Sequence, residues 1–231
     1  MEMHFLKAFN TLGPDLLRGV GIVIYITLVG FACALVVALL MAMGRLTKRK
    51  LPGRLLGLVI ELVRGTPLLV QFFYIYYVVP MLINGTAGLL GYDTNIQIPA
   101  ATCGIIGFAI NYGCYMSEVI RSAILAIDPG QREAGLALGF SENQVLFHFI
   151  LPPALRNSIP VFGNYLVMLI KDTSLLAMIS VQELLLRTKT FASQTFLTVE
   201  AYTILALVYL VISIPLSQLS KIVERRLKQI R

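Results

Sequence analysis

Five polar side chains stand inside runs that are otherwise apolar: Gln71, Asn164, Asp172, Thr173 and Ser174. Two amides, a carboxylate and two hydroxyls can hold a small polar solute through hydrogen bonds and charge. Ionisable and strongly polar groups are costly in hydrocarbon, so such residues mark a solute path by default. Their setting does not suit bond-breaking chemistry. Ser158 and Ser180 have no His/Asp companion, and no H-E-x-x-H pattern occurs, which disfavours a membrane hydrolase. His148 has no metal-ligand neighbour and reads as structural, and no metal site is expected. Cys33, Cys103 and Cys114 lie in apolar runs without paired spacing and read as small buried apolar residues. The chain also lacks G-x-x-x-x-G-K-[ST], so it is not expected to hydrolyse ATP itself, nor to carry a cofactor.

The elements that must position these residues are helices in a bilayer. Apolar residues make up 57% of the 231 positions and charged residues 13%, and mean hydropathy is +0.80. A soluble domain carries about a quarter charged residues, so this is a membrane composition. At roughly 20 apolar residues per crossing, the apolar runs predict an all-α protein with five transmembrane helices in one domain over residues 1–231. The spans fall at about 20–43, 67–83, 99–127, 159–180 and 201–219. No cleavable signal is expected, because the first apolar run is too long for a signal core. Leu55 to Val63 is too short to cross and reads as an interfacial or re-entering helix. It ends at Arg64-Gly65-Thr66-Pro67, where Thr66 and Pro67 suit an N-cap and first helical residue. Lys171-Asp172-Thr173-Ser174 is expected to interrupt the fourth span, and Val181 to Glu200 to form an outside surface segment. Asn84-Gly85-Thr86 matches a glycosylation sequon, read as a chance match.

Charge sets the orientation. Arg45, Lys48, Arg49, Lys50 and Arg54 follow the first span, and Lys221, Arg225, Arg226, Lys228 and Arg231 end the chain. With the N-terminus outside and the C-terminus cytoplasmic, inside segments collect twelve Lys/Arg and outside segments four, as the positive-inside rule requires. The net charge of +7 therefore sits at membrane edges, facing the lipid bilayer, and nucleic acid is excluded as a partner. No internal repeat is visible, which weighs against transporter folds built from inverted halves.

The same orientation puts residues 128–153 in the cytoplasm. Asp128-Pro129 is an N-cap and first-turn pair, Gly139 supplies a left-handed end, and Ser141 with Gln144 makes a capping box. A second helix, "QVLFHFIL", should stop at Pro152-Pro153. The result is a helix–Gly–helix elbow whose first half, with Ala134, Gly135, Ala137 and Gly139, has little bulk, while Arg132 and Glu133 supply charge. It reads as a knob for a cytoplasmic partner or as an amphipathic loop helix on the membrane. Glu61, Arg64, Glu118 and Arg121 are placed near cytoplasmic helix ends, with Arg64 set to pair with Glu118 as a structural or gating contact. Lys171 and Asp172 can themselves pair to hold a kink.

The elbow resembles the cytoplasmic signature of binding-protein-dependent ABC transporter permeases, E-A-A, three residues, G, nine residues, I, one residue, L-P. Glu133, Ala134, Gly139, Leu151 and Pro152 match at the family's spacing, while Gly135 replaces an alanine and Phe149 an isoleucine. "RGTPLLVQ", "SEVIR", "IDPGQREA" and "KDTSL" are similar to the polar amino acid subfamily, and "INYGCY" departs from it. The resemblance implies a permease subunit of an ATP-driven importer in the bacterial cytoplasmic (inner) membrane. Its implied partners are a second permease, identical or related, two cytoplasmic ATPase subunits that bind ATP and Mg, and an external amino-acid-binding protein. It implies coupling through Arg132, Glu133, Ala134, Gly135 and Gly139, and a path at Asn164, Asp172, Thr173, Ser174 and Gln71. Arg64, Glu118, Arg121 and Lys171 would make gating or structural ion pairs. The competing readings are a membrane scaffold that docks a cytoplasmic protein, and a membrane-embedded enzyme. A scaffold would not need Lys171–Ser174 at depth.

Overall fold

In the computed structural model, which describes residues 4–46 and 50–229, the chain is helical and no strand occurs among the described residues. Five helices are long and apolar enough to cross a membrane. In chain order the elements are α1 (Phe5–Arg45), α2 (Lys50–Arg64), α3 (Leu68–Leu89), α4 (Ala100–Leu125), α5 (Pro129–Ala137), α6 (Glu142–Ile179), α7 (Leu184–Thr195) and α8 (Thr198–Gln229). The charged positions Lys48, Arg49 and Arg231 lie outside the described residues.

Four of the five crossing helices are longer than their apolar runs, α1 and α8 among them. α1 starts at Phe5 and not at Val20, because residues 5–19 are amphipathic instead of uniformly apolar. Ala8, Leu12 and Leu16 recur every four residues and are buried, while Lys7, Thr11, Asp15 and Arg18 face out; a hydropathy window averages that pattern away. α8 likewise runs past Leu219 through Lys221, Arg225 and Arg226.

α6 departs most from the sequence reading. Pro152-Pro153 does not end a helix: the elbow's second helix and the fourth span are one helix of 38 residues, Glu142–Ile179. A proline ring clashes with the carbonyl four residues earlier and removes one hydrogen bond. Here a π-helical turn, Leu146–Ile150, immediately precedes Leu151-Pro152-Pro153. Its wider winding moves the carbonyls of His148 and Phe149 out of the rings' way, an adjustment that membrane helices tolerate. α3 uses the same device, with a π turn at Tyr74–Val78 ahead of Pro80. At the other end of α6 the helix does not open at Lys171–Ser174. It tightens to 3₁₀ winding over Thr173–Ile179 and stops at Ser180, with φ of 66°.

The chain forms two compact units. The first comprises Met1–Cys33, Thr66–Ala109 and Leu166–Leu216. Its core joins Ala8, Leu12, Leu16 and Val23 of α1 to Leu184 and Ala192 of α7 and Ala201, Ile204 and Leu205 of α8. The segment expected as a surface helix is thus buried along one face. Phe72 meets Phe108 edge-on at 5.2 Å between ring centroids, against Gly107, where a Cβ would sit 2.5 Å from the Phe72 ring. Asn84 accepts from Thr94 Oγ1 (3.1 Å) and Ile96 N (2.8 Å) and donates to Ile96 O (2.9 Å). Its amide thereby pins the segment after α3.

The second unit comprises Ala34–Gly65, Ile110–Tyr165 and Ser217–Arg231. Ala34, Ala38 and Ala42 of α1, Ile60 of α2, and Cys114, Met116 and Ile120 of α4 are buried in it. The helices approach closely at Gly113, where a Cβ would lie 2.6 Å from Val37 Cγ1 and 3.3 Å from the Ala34 carbonyl. Small residues at such crossings allow the close packing that holds membrane helices together.

Gly113→Ala is expected to lower the unfolding midpoint in detergent by the equivalent of about 1–3 kcal/mol. Gly21→Ala, where nothing lies within 4 Å of the added carbon, should leave it unchanged or raise it by roughly 0.5–1 kcal/mol. Equal effects at the two positions would contradict the close approach at Gly113.

Candidate functional site

The cytoplasmic elbow is built as its sequence signals indicate. The Asp128 carboxylate accepts from Gly130 N at 2.8 Å and Pro129 opens α5. At the C-terminal end, Gly139 N donates to Leu136 O (3.0 Å) and Phe140 N to Gly135 O (3.2 Å), with Gly139 at φ of 86°. This is the Schellman arrangement, which needs a left-handed residue at Gly139. Ser141 and Gln144 close a reciprocal capping box at the start of α6.

Two side-chain contacts set the angle between α5 and α6. Arg132 pairs with Glu142 at 2.9 Å, so its charge closes the elbow from within. Phe140 meets Phe149 at 5.1 Å, near edge-on. The two departures from the family signature acquire reasons here. Gly135 is buried, and a Cβ there would lie 2.8 Å from Val145 Cγ2. Phe149 supplies the ring that Phe140 packs on. Glu133, Ala134, Ala137 and Gly139 are exposed, leaving one carboxylate on a surface of low bulk. His148, within the π turn, donates from Nδ1 to the Gln144 carbonyl at 2.9 Å.

The expected path residues divide between the two units. Gln71, Asp172, Thr173 and Ser174 belong to the first and Asn164 to the second. Gln71 Nε2 donates to Thr66 Oγ1 (2.9 Å) and to Thr66 O (3.2 Å). Thr66 therefore does not cap α3; Pro67 occupies that place with extended backbone, and the Gln71 amide closes the turn instead. Thr173 is fully buried and its hydroxyl donates to Ile170 O at 2.7 Å. Asp172 and Ser174 are half-buried, and Lys171 and Asn164 exposed. Because α6 stays wound here, these residues contribute side chains and not the unwound backbone the sequence suggested. Thr173's own hydroxyl satisfies the carbonyl at the change of winding.

Sequence reasoning missed one polar centre in the first unit. Glu183 is fully buried. It caps α7 by accepting from Leu185 N and Leu186 N, both at 2.8 Å, and it also accepts from the Tyr209 hydroxyl at 3.2 Å. The carboxylate and the Tyr209 hydroxyl thus tie α7 to α8. Burial pushes the Glu183 carboxyl above its ordinary range, partly offset by its hydrogen bonds and by Arg187. Only its position before an apolar Leu-Leu-Leu run hinted at an N-cap.

The expected Arg64–Glu118 pair does not form. Glu118 pairs with Arg45 at the end of α1 and lies 3.8 Å from Arg121. The Arg45 guanidinium passes alongside Gly57, where an added Cβ would make ordinary contact with it. The Arg64 guanidinium sits 5.0 Å over the Tyr115 ring instead, and the Tyr115 hydroxyl donates to Arg64 O at 3.2 Å. Tyr165 stands 6.3 Å from Tyr115 and 5.9 Å from Tyr112.

A crossing helical chain with such an elbow is compared most directly with transport proteins. The model of the family described as "binding-protein-dependent transport system inner membrane component" matches residues 34–229. The chain belongs to this family. It is a multi-pass inner-membrane permease of the amino-acid ABC transporter group. The glutamine transport system permease protein GlnP of Escherichia coli (strain K12) is 35% identical over 215 residues, 93% of this chain and 94% of that protein. The L-cystine transport system permease protein TcyB of Bacillus subtilis (strain 168) is 34% identical, over 93% of this chain and 87% of its own. The crystal structure titled as an amino acid ABC transporter with histidines superposes with a TM-score of 0.84 at 30% identity, covering 98% of this chain and 100% of that one.

In this permease, Gly135→Ala is expected to lower the unfolding midpoint, because β-branched Val145 cannot turn away freely. In a Val145→Ala background the same change should raise it, through better helix propensity. Additive effects would contradict the contact. For Glu183, a raised carboxyl pKa means the folded state holds its proton more tightly than the unfolded one. The associated stability is complete below the ordinary carboxylate range and is lost as pH rises through the folded value. Unfolding midpoints measured from about pH 4 to 8 should thus fall more steeply in the wild type than in Glu183→Gln; parallel curves would contradict this.

Proposed function

We propose that this permease is the membrane subunit of an ATP-driven importer for a polar amino acid. It does not catalyse ATP hydrolysis; two cytoplasmic ATPase subunits bind ATP and Mg and seat the elbow. A second permease, identical or related, completes the pathway, and an external binding protein delivers the solute. The observation that carries this reading is the elbow. Arg132 pairs with Glu142 and Phe140 with Phe149, while Glu133 and the small residues Ala134, Ala137 and Gly139 are exposed and engaged in neither pair. Such a surface admits close backbone approach by a partner, and Glu133 supplies the charge that sets its register.

The elbow's second half and the candidate path residues Asn164, Asp172, Thr173 and Ser174 lie on one helix, α6. Movement imposed at the elbow is thereby carried along a rod to the side chains that hold the solute. Asp172 is suited to an ammonium group, and Asn164, Thr173, Ser174 and Gln71 to the polar atoms of an amino acid. The Glu118 cluster with Arg45 and Arg121, together with Lys171, supplies the structural or gating charges. Relatives named for glutamine and L-cystine transport support the substrate class.

The reading is tested on the purified complex with its ATPase in proteoliposomes. Glu133→Lys is expected to reduce uptake per ATP hydrolysed by ~10-fold or more, equivalent to about 1.4 kcal/mol of coupling, with membrane insertion retained. Asp172→Asn should change the amino-acid dependence of ATPase stimulation. Normal coupling in the first variant would remove the docking role, and an unaltered response in the second would remove Asp172 from the path.

A further inference from the structure

We propose that the groove between α1 and α8 holds one acyl chain of an anionic phospholipid, with the lipid phosphate at Lys7. Such a lipid is a bound component of the permease, whatever solute the permease carries.

The groove has a volume of about 680 Å³, within the range of pockets that hold small molecules. Both of its walls belong to the first unit. Phe9, Gly13 and Leu17 of α1 line one side, and Leu207 and Val211 of α8 the other. Phe9, Leu17, Leu207 and Val211 are each more than half exposed, so the chain itself leaves these side chains uncovered. On α1 the lining runs from Phe9 to Val20, about 16 Å at 1.5 Å per residue. That is half of a ~30 Å hydrocarbon core, the reach of one leaflet's acyl chain.

Polarity is graded along one face of α1. Among the described residues that line the groove, Asn10 alone carries a polar side chain. Lys7 precedes it by three residues, so the two are neighbours on the helix surface, and Lys7 is exposed. An ammonium, an amide and then an apolar trough follow the order of a phospholipid: phosphate, ester carbonyl, hydrocarbon. The acids of this region do not neutralise Lys7. Glu200 is buried and accepts from His4 N at 3.0 Å, and Asp15 is engaged by Arg18 and Arg187. Among the described residues Lys7 is in no ion pair, and a lysine at a bilayer surface attracts anionic headgroups. The His4–Glu200 bond also ties the start of α1 to the first turn of α8, which fixes both walls at this end. A helix from a second copy would match the trough but not the unpaired ammonium at its mouth; an anionic lipid answers both.

The test uses the full chain, purified in detergent with the subunits that accompany it and stripped of lipid. The probes are single-chain lipids with the same acyl chain, lysophosphatidylglycerol and lysophosphatidylcholine, each titrated against the unfolding midpoint to give a half-saturating concentration. The anionic probe is expected to bind ~5-fold more tightly than the zwitterionic one, and Lys7→Gln to remove that preference. Gly13→Leu fills the trough, and nothing lies within 4 Å of a carbon added at Gly13, so the packing of α1 is left intact. It should weaken both probes by ~10-fold or more, as the loss of a few buried methylenes requires. Equal binding of the two probes by the wild type would overturn the proposal, as would a preference that survives Lys7→Gln or wild-type affinity in Gly13→Leu. A Leu17→Cys chain that forms a disulfide-linked pair in the native membrane would assign the groove to a second copy and overturn it too.

Discussion

The account turns on how two adjacent prolines are accommodated inside a helix. Pro152 and Pro153 lack the N–H groups that a helix needs, and their rings press on the carbonyls of His148 and Phe149. A π turn over Leu146–Ile150 widens the helix just ahead of them. The His148 ring, bonded to the Gln144 carbonyl, lies within that turn. Without this adjustment the elbow would be a loop hung between two helices. With it, the residues from the capping box at Ser141 to the buried Thr173 form one helix, and that continuity is the basis on which we propose that a small cytoplasmic surface acts on polar side chains farther along it.

The elbow then needs a rigid angle, and three local interactions provide it. Gly139 takes the left-handed conformation, Arg132 closes on Glu142, and Phe140 packs on Phe149. The close seat of Gly135 on Val145 explains why this chain keeps a glycine where the signature has alanine. Beyond the other end of that helix, the buried Glu183 caps α7 and accepts from Tyr209 of α8. Buried polar groups of this kind are stable when each is satisfied.

Much of this was legible in the residues. Asp128, Gly139 and the Ser141–Gln144 pair act within one turn, so their signals do not depend on tertiary context and the elbow follows from them. The five spans follow from length and hydropathy, and the basic positions orient them. The rest depends on neighbours that a linear reading does not contain. Pro152-Pro153 reads as a stop until the π turn is seen. Arg64 and Glu118 have opposite charges, yet Arg45 pairs with the acid and the Arg64 guanidinium lies over Tyr115. The first turns of α1 were missed because an amphipathic stripe against α7 and α8 averages to low hydropathy.

The most direct measurement concerns the rod. Two glycines inserted between Ile150 and Leu151 break the helix while leaving the capping box, the Arg132–Glu142 pair and the membrane segment unaltered. ATP hydrolysis and solute uptake are then measured together on the reconstituted complex. The account predicts that the ATPase still docks and hydrolyses ATP while uptake per ATP collapses. Uptake per ATP equal to that of the uninterrupted chain would contradict it.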